Sequence, residues 1–326
     1  MNRRSLLVLS GAASLALPRA AGAQRTPLRF GFLMGGGPCA LTTYRIAAIK
    51  EGLQANGLQD GRDYVLDVRM AEGRYERLPD LAADLAKAQP AMLLANTIAA
   101  VRAAQQAAPS LPVVMTAIND PVGNGLVQGL ARPGGRTTGV ATQIEDLIPK
   151  MLEFQRTIVP AVQVLGILFN PTNPSNPRMV ESLRGHAARL GFAVQAVPVR
   201  FPEDLPGGLQ TLDAARPQAV QLLPDSATFD LADRIAAFAI ERRVPFMVAW
   251  PDVVDFGGLL GYGPPERRLL RRVGYYVKRI LDGANPGDLP VEQPTEIELR
   301  LNLRTAAAIG LALPPLLVAS ASGVVE

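Results

Sequence analysis

A chain of 326 residues, 48% hydrophobic and 19% charged, can bury a large core and by length makes about two domains. It has no low-complexity tract, which excludes an intrinsically disordered protein. The formal net charge is +4, and subtracting Arg3, Arg4 and Arg19 of an expected leader leaves +1. The other Lys and Arg residues are dispersed, apart from Arg267-Arg268 and Arg271-Arg272, so nucleic acid is not the main partner. That arginine quartet reads as the solvated face of a helix.

The first 23 residues read as a cleaved leader. Met1-Asn2-Arg3-Arg4 is basic, 5–17 is apolar and small, and Ala21-Gly22-Ala23 is a cleavage site, so the mature chain starts at Gln24. The apolar run is too short to span a membrane. Arg3-Arg4 before Ser5-Leu6-Leu7 loosely resembles a twin-arginine signal, and an ordinary Sec signal fits equally. No Cys follows the cleavage site, which argues against a lipid anchor. Cys39 is the one cysteine, so no internal disulfide forms, and it reads as a small, half-buried side chain.

From residue 28 the hydrophobic periodicity alternates between strand and helix. Residues 28–34 are an apolar strand, followed by Gly35-Gly36-Gly37-Pro38. A helix over 41–56 has Leu41, Ile46, Ile49 and Leu53 on one face and stops at Asn56-Gly57. Strand 64–70, helix 75–88, strand 91–95 and helix 97–108 follow. Strand 112–116 breaks at Asn119-Asp120-Pro121. A short amphipathic turn of helix is expected over 125–130, then Pro133-Gly134-Gly135 and strand 137–142. The pattern then restarts. Helices are expected over 147–158, 179–190, 203–214, 231–242, 267–281 and 305–311. Strands are expected over 164–169, 192–198, 219–223, 245–249, 258–262 and 296–302. Alternating strands and helices predict parallel sheets. Two successive units of similar size predict an α/β protein of two Rossmann-like lobes. The polar loops fall at strand C-termini, where open α/β sheets place ligands.

Enzymatic constellations are missing. His186 is the one histidine and sits in a helix beside Arg184 and Arg189, which removes a His-based metal site. There is no Gly-x-Ser-x-Gly elbow and no Walker loop, and Gly35-Gly36-Gly37 lacks dinucleotide spacing. Backbone close to a ligand or to the opposing lobe is the better reading of Gly36. No cofactor is expected.

A small zwitterion needs less. Thr97 opens a helix, and its hydroxyl with the first-turn N–H groups could hold a carboxylate; a plain N-cap explains it equally. Asn119-Asp120-Pro121 offers an amide and a carboxylate, or an Asx-type turn. Asn170, Asn173 and Asn176 present amides, or form a rigid turn with Pro171, Pro174 and Pro177. Asp225-Ser226 caps a helix, yet a buried Asp225 would also suit an ammonium. Trp250 and Tyr262 are apolar walls or core.

These features together resemble the extracytoplasmic solute-binding proteins of ABC transporters, the ABC substrate-binding family with the type 1 periplasmic-binding fold. The resemblance rests on Gly52-Leu53 with Asn56-Gly57-Leu58 and Gly61-Arg62; Ala71-Glu72-Gly73 with Arg77-Leu78; Asn119-Asp120-Pro121-Val122 with Gly125-Leu126-Val127; Leu130-Ala131-Arg132-Pro133-Gly134-Gly135 with Thr138-Gly139-Val140; Gly257-Gly258-Leu259-Leu260 with Tyr262-Gly263; and Leu289-Pro290-Val291-Glu292-Gln293-Pro294. It implies two lobes joined by a three-strand hinge, 24–143 with about 264–290 and 144–263 with about 291–326. Some members bind amino acids, aromatic ones included. In those, a hydroxyl at a helix start and Asp or Asn groups at strand ends hold the ligand; the matching positions are Thr97, Asn119, Asp120, Asn170 and Asp225. The resemblance implies a monomeric periplasmic protein that captures an amino acid or related carboxylate and delivers it to an ABC permease. A periplasmic sensor for a signalling receptor is the alternative, and an enzyme acting on a small solute is third.

Overall fold

The computed structural model describes residues 26–326, so the expected leader lies outside the described residues. The first unit runs β1 (Leu28–Met34), α1 (Ala40–Ala55), β2 (Tyr64–Met70), α2 (Leu78–Lys87), β3 (Met92–Ala95), α3 (Ile98–Ala107), β4 (Val113–Asn119) and β5 (Thr137–Thr142). The second runs α4 (Ile148–Ile158), β6 (Val164–Phe169), α5 (Ser175–Leu190), β7 (Ala193–Pro198), α6 (Leu205–Ala214), β8 (Ala219–Leu222), α7 (Ser226–Phe229), α8 (Ala232–Glu241), β9 (Phe246–Val248) and β10 (Leu260–Gly263). The chain ends with α9 (Glu266–Leu281), β11 (Glu298–Asn302), α10 (Leu303–Ile309), α11 (Pro315–Ala319) and β12 (Gly323–Val325).

The first sheet has the order β2-β1-β3-β4-β5 and is parallel throughout. The second has the order β12-β11-β10-β9-β8-β6-β7, with β10 and β11 its one antiparallel pair. Strand alternation decides which face each residue serves. In β1, Phe30, Phe32 and Met34 turn to the core under α1 and α9, while Leu33 turns to the core under α2 and α3.

The chain passes between the sheets three times. It leaves the first after β5 and returns after β10, where α9 packs on α1. Gly52 and Gly274 allow that packing, because a Cβ on either would run into the partner helix backbone. Residues 291–292 then pair beside β5, with Ala141 N–H donating to Glu292 O at 2.8 Å and Glu292 N–H to Gly139 O at 3.1 Å. The third passage leads to β11.

The structure corrects two expectations and adds two terminal elements. Residues 125–130 form turns and bends, not a helix. Gly125 sits at φ +66, and Gln128 N–H donates to Pro133 O, so the backbone closes locally without nucleating a helix. Helix α5 starts at Ser175, four residues early, because Pro177 falls in its first turn, where proline costs no hydrogen bond. The terminal α11 and β12 had no periodic signal, being 5 and 3 residues long.

Candidate functional site

The C-terminal strand ends of both sheets open onto one interlobe cavity, about 610 Å³ of empty space including its mouth. The first lobe contributes Phe32, Thr97, Ile98, Thr116 and Asn119 to its lining, and the second contributes Asn173, Asp225, Phe229 and Trp250. At the β4 rim a bulge between Thr116 and Ile118 holds Ala117 at φ +69. A non-glycine residue there is strained, and such strain collects at ligand clamps.

Thr97 caps α3: its backbone is extended and its Oγ1 accepts from Ala100 N–H at 3.0 Å. Helix geometry leaves the N–H groups of Ile98 and Ala99 without intrahelical acceptors. Together with the helix dipole they favour a negative group at this end.

Asp225 faces it from the second lobe and also caps a helix, accepting from Ala227 N–H at 3.0 Å and Thr228 N–H at 3.4 Å. Asn170 Nδ2 donates to its Oδ1 at 3.0 Å, Asn173 Nδ2 to its Oδ2 at 3.0 Å, and the Tyr75 hydroxyl of the first lobe to its Oδ2 at 2.7 Å. Five dipolar donors surround the carboxylate, but no cation pairs with it among the described residues. Burial pushes its pKa up, against the pull of the Tyr75, Asn170 and Asn173 hydrogen bonds.

The other proposed positions separate. Asn170 is fully buried behind Asp225 and is not part of the lining. Asn119 ties the end of β4 to the first crossover, accepting from Ile144 N–H at 3.2 Å and donating to Glu145 at 3.2 Å, and it reaches Ser175 of the second lobe at 3.4 Å. Asp120 lies outside the lining at φ +42, accepts from Gly123 N–H at 2.8 Å, and sits 3.4 Å from Arg178. Gly36 is packed against Asp230, which also accepts from Gly37 N–H and from Cys39 Sγ at 3.3 Å. The loop 35–38 therefore meets the opposing lobe. Trp250 is buried, its ring edge-to-face on Phe229 at 6.5 Å.

Sequence reasoning missed a buried ion pair. Arg45 Nε donates to Glu266 Oε1 at 2.8 Å, both side chains are 6% exposed, and both line the cavity. Burial raises the Glu266 pKa while Arg45 opposes it. Arg45 is visible in the sequence as a charge on the apolar stripe of α1, one turn from both Leu41 and Ile49, whereas Ile46, expected on that face, is half-buried. Tyr75 and Asp230 gave no local signal, because their partners lie 150 and 193 residues away.

The model of a family described as ABC transporter substrate binding protein matches residues 40–325. The chain belongs to this family. It is similar to a tyrosine-binding protein of Clostridioides difficile, 23% identical over 261 residues, which cover 80% of this chain and 75% of that one. Two solved structures share its fold. A conserved domain protein from Vibrio cholerae matches with TM-score 0.83 at 23% identity, over 92% of this chain and all of that one. A domain from Streptococcus pneumonia in complex with L-Trp matches with TM-score 0.80 at 22% identity, with the same coverage. The fold is that of the type 1 periplasmic binding proteins. Members of the family bind solutes and do not transform them, so this is a binding protein and not an enzyme. The family is typically extracytoplasmic, and among the described residues no helix is long and apolar enough to cross a membrane.

Proposed function

We propose that the protein is the solute-capturing component of an ABC importer, exported to the periplasm. It holds an amino acid or related carboxylate between its lobes and delivers it to a membrane permease. One observation carries this reading. A helix N-terminus capped by Thr97 and the buried, cation-free Asp225 line the same cavity from opposite lobes. The first suits a carboxylate and the second an ammonium, which is the head group of a zwitterion. The cavity's titratable lining carries one cation, Arg45, and two carboxyl groups, Asp225 and Glu266. The names of two relatives, one tyrosine-binding and one seen with L-Trp, support an amino acid.

Thr97, Asn119, Asn173, Asp225 and Trp250 are the proposed contacts, with Asn170 fixing Asp225 from behind. Gly36 and Asp120 serve lobe contact and a turn. The proposed hinge divides the chain into 24–143 with about 264–290 and 144–263 with about 291–326. A micromolar complex needs about 8 kcal/mol, within reach of an ion pair, several hydrogen bonds and an apolar wall.

A thermal-shift screen of amino acids and small carboxylates tests binding. At least one should raise the melting temperature of wild type and lose that effect on Asp225→Asn. Silence across the whole screen would remove the amino-acid reading. Uptake of the identified solute in a deletion strain tests the importer role, and unchanged uptake would count against it. The mass of the exported protein tests cleavage after Ala23.

A further inference from the structure

We propose that Arg45 and Glu266 form a distal subsite for a ligand whose far end is neutral and carries both an oxygen acceptor and an O–H or N–H donor. Aliphatic and phenolic hydroxyls and carboxamides are the groups of that kind on amino acids, and of these the phenolic hydroxyl and the glutamine carboxamide extend furthest from the zwitterion. This rests on reading the cleft as an amino-acid site, and it specifies the ligand that such a site selects.

The pair sits away from the carboxylate end. Arg45 and Glu266, with Phe32 and Leu270, line the part of the cavity that borders α1 and α9, whereas Thr97 opens α3 on the opposite face of the first sheet. An aromatic wall joins the two ends. The Arg45 guanidinium lies 5.4 Å from the centre of the Phe229 ring, and Trp250 abuts Phe229.

The pair is also incomplete. Arg45 uses only Nε toward a protein partner among the described residues, so the remaining guanidinium N–H groups are unmatched. Glu266 Oε2 is buried without a partner among the described residues. A buried ion pair of this kind is seldom needed for stability, since apolar replacement of both partners is commonly neutral. An unmatched buried acceptor such as Glu266 Oε2 is costly, and a ligand that donates to it gains what the free protein lacks. An anionic far end would satisfy Arg45 and be repelled by Glu266, and a cationic end would do the reverse. A purely apolar end would leave both unmatched. A hydroxyl or a carboxamide accepts from Arg45 and donates to Glu266.

Calorimetry on the mature protein with two matched pairs tests this: L-tyrosine against L-phenylalanine, and L-glutamine against L-norleucine. In at least one pair the polar member should bind about 10- to 100-fold tighter, and the pair that shows it tells hydroxyl from carboxamide. The double variant Arg45→Met/Glu266→Met, which leaves no lone buried charge, should abolish that preference and keep binding of the apolar member. If it does not melt cooperatively, Glu266→Gln replaces it, turning an acceptor into a donor, and should cut the preference likewise. Equal affinities within both pairs, or a preference that survives these changes, overturn the subsite while leaving the amino-acid reading intact. If no amino acid binds wild type, that reading falls and the subsite with it.

Discussion

Asp225 condenses the physical problem of the site into one residue. It is buried, it caps α7, and no cation pairs with it among the described residues. Its pKa is raised by burial, so the folded state holds a proton more tightly than the unfolded one. Its contribution to stability therefore falls as pH rises through the folded value, and acidification relieves the strain. Ligand binding has the opposite sign. An ammonium favours the carboxylate, so affinity for a zwitterion should drop as pH falls through a window above the ordinary 3.8. Calorimetric titrations from neutral to acid pH check this, and a pH-independent affinity would exclude Asp225 as the ammonium partner. Asp225→Asn should lower affinity for the ligand found by screening by about 10-fold or more, the worth of a charge-assisted hydrogen bond. It should also lower the melting temperature of the free protein, because the amide keeps the capping oxygen but turns its NH2 toward the Asn173 amide and the Tyr75 hydroxyl, which lose their acceptor. The capping role of Asp225 was legible from Asp-Ser at a helix start. The five donors that converge on it were not, because Tyr75 lies in the other lobe and Asn170 and Asn173 follow a different strand.

At the scale of elements, the α1–α9 contact sets the geometry of the distal end of the cleft. Gly52 lies against the Arg271 backbone and Gly274 against the Gly52 backbone, so the helices approach closely and carry Arg45 and Glu266 into register. Gly52→Ala should destabilise the fold by roughly 1–3 kcal/mol, seen as a lower urea midpoint with an unchanged slope. A midpoint equal to wild type would mean the helices separate without cost. Gly52 was noted in the sequence only as part of a pattern, since nothing local reveals which helix passes over it. The arginine quartet on α9 turns out to be paired rather than merely solvated. Arg267 meets Glu51, Arg268 meets Glu296 and Arg272 meets Glu292. These exposed pairs contribute little individually. Period and caps showed that α9 was a long helix. Its position on α1 follows from the second passage of the chain between sheets.

For the whole molecule, several side-chain polar contacts around the cavity cross between the lobes. Tyr75 bonds Asp225, Gly37 bonds Asp230, Tyr44 donates to Asp252 at 2.7 Å, and Arg74 pairs with Glu203. Polar contacts of this kind exchange with water on opening, which suits a two-state hinge that a ligand biases by its differential affinity. Tyr75→Phe removes one interlobe hydrogen bond and leaves the ring in place. It should enlarge the radius of gyration of the free protein in solution scattering, and saturating ligand should restore the compact value. An unchanged radius would show that the Tyr75 bond does not hold the lobes together.

The sequence by itself determined the alternation of strands and helices, the two α/β units, and the polar loops at strand C-termini. Those depend on periodicity, caps and turn residues that act within a few positions of one another. It also placed Thr97, Asn119, Asn173 and Asp225 at strand ends, where the parallel topology brings them to one rim. Tertiary structure alone decided that Gly36 and Cys39 face Asp230, that Asn170 stands behind Asp225, and that Arg45 and Glu266 share a buried corner. Each of those depends on contacts between elements distant in sequence, for which a residue and its neighbours carry no signal. The short 125–130 segment shows the same limit in reverse: its pattern is helical, but two glycines and the Pro133 carbonyl hold the backbone in turns.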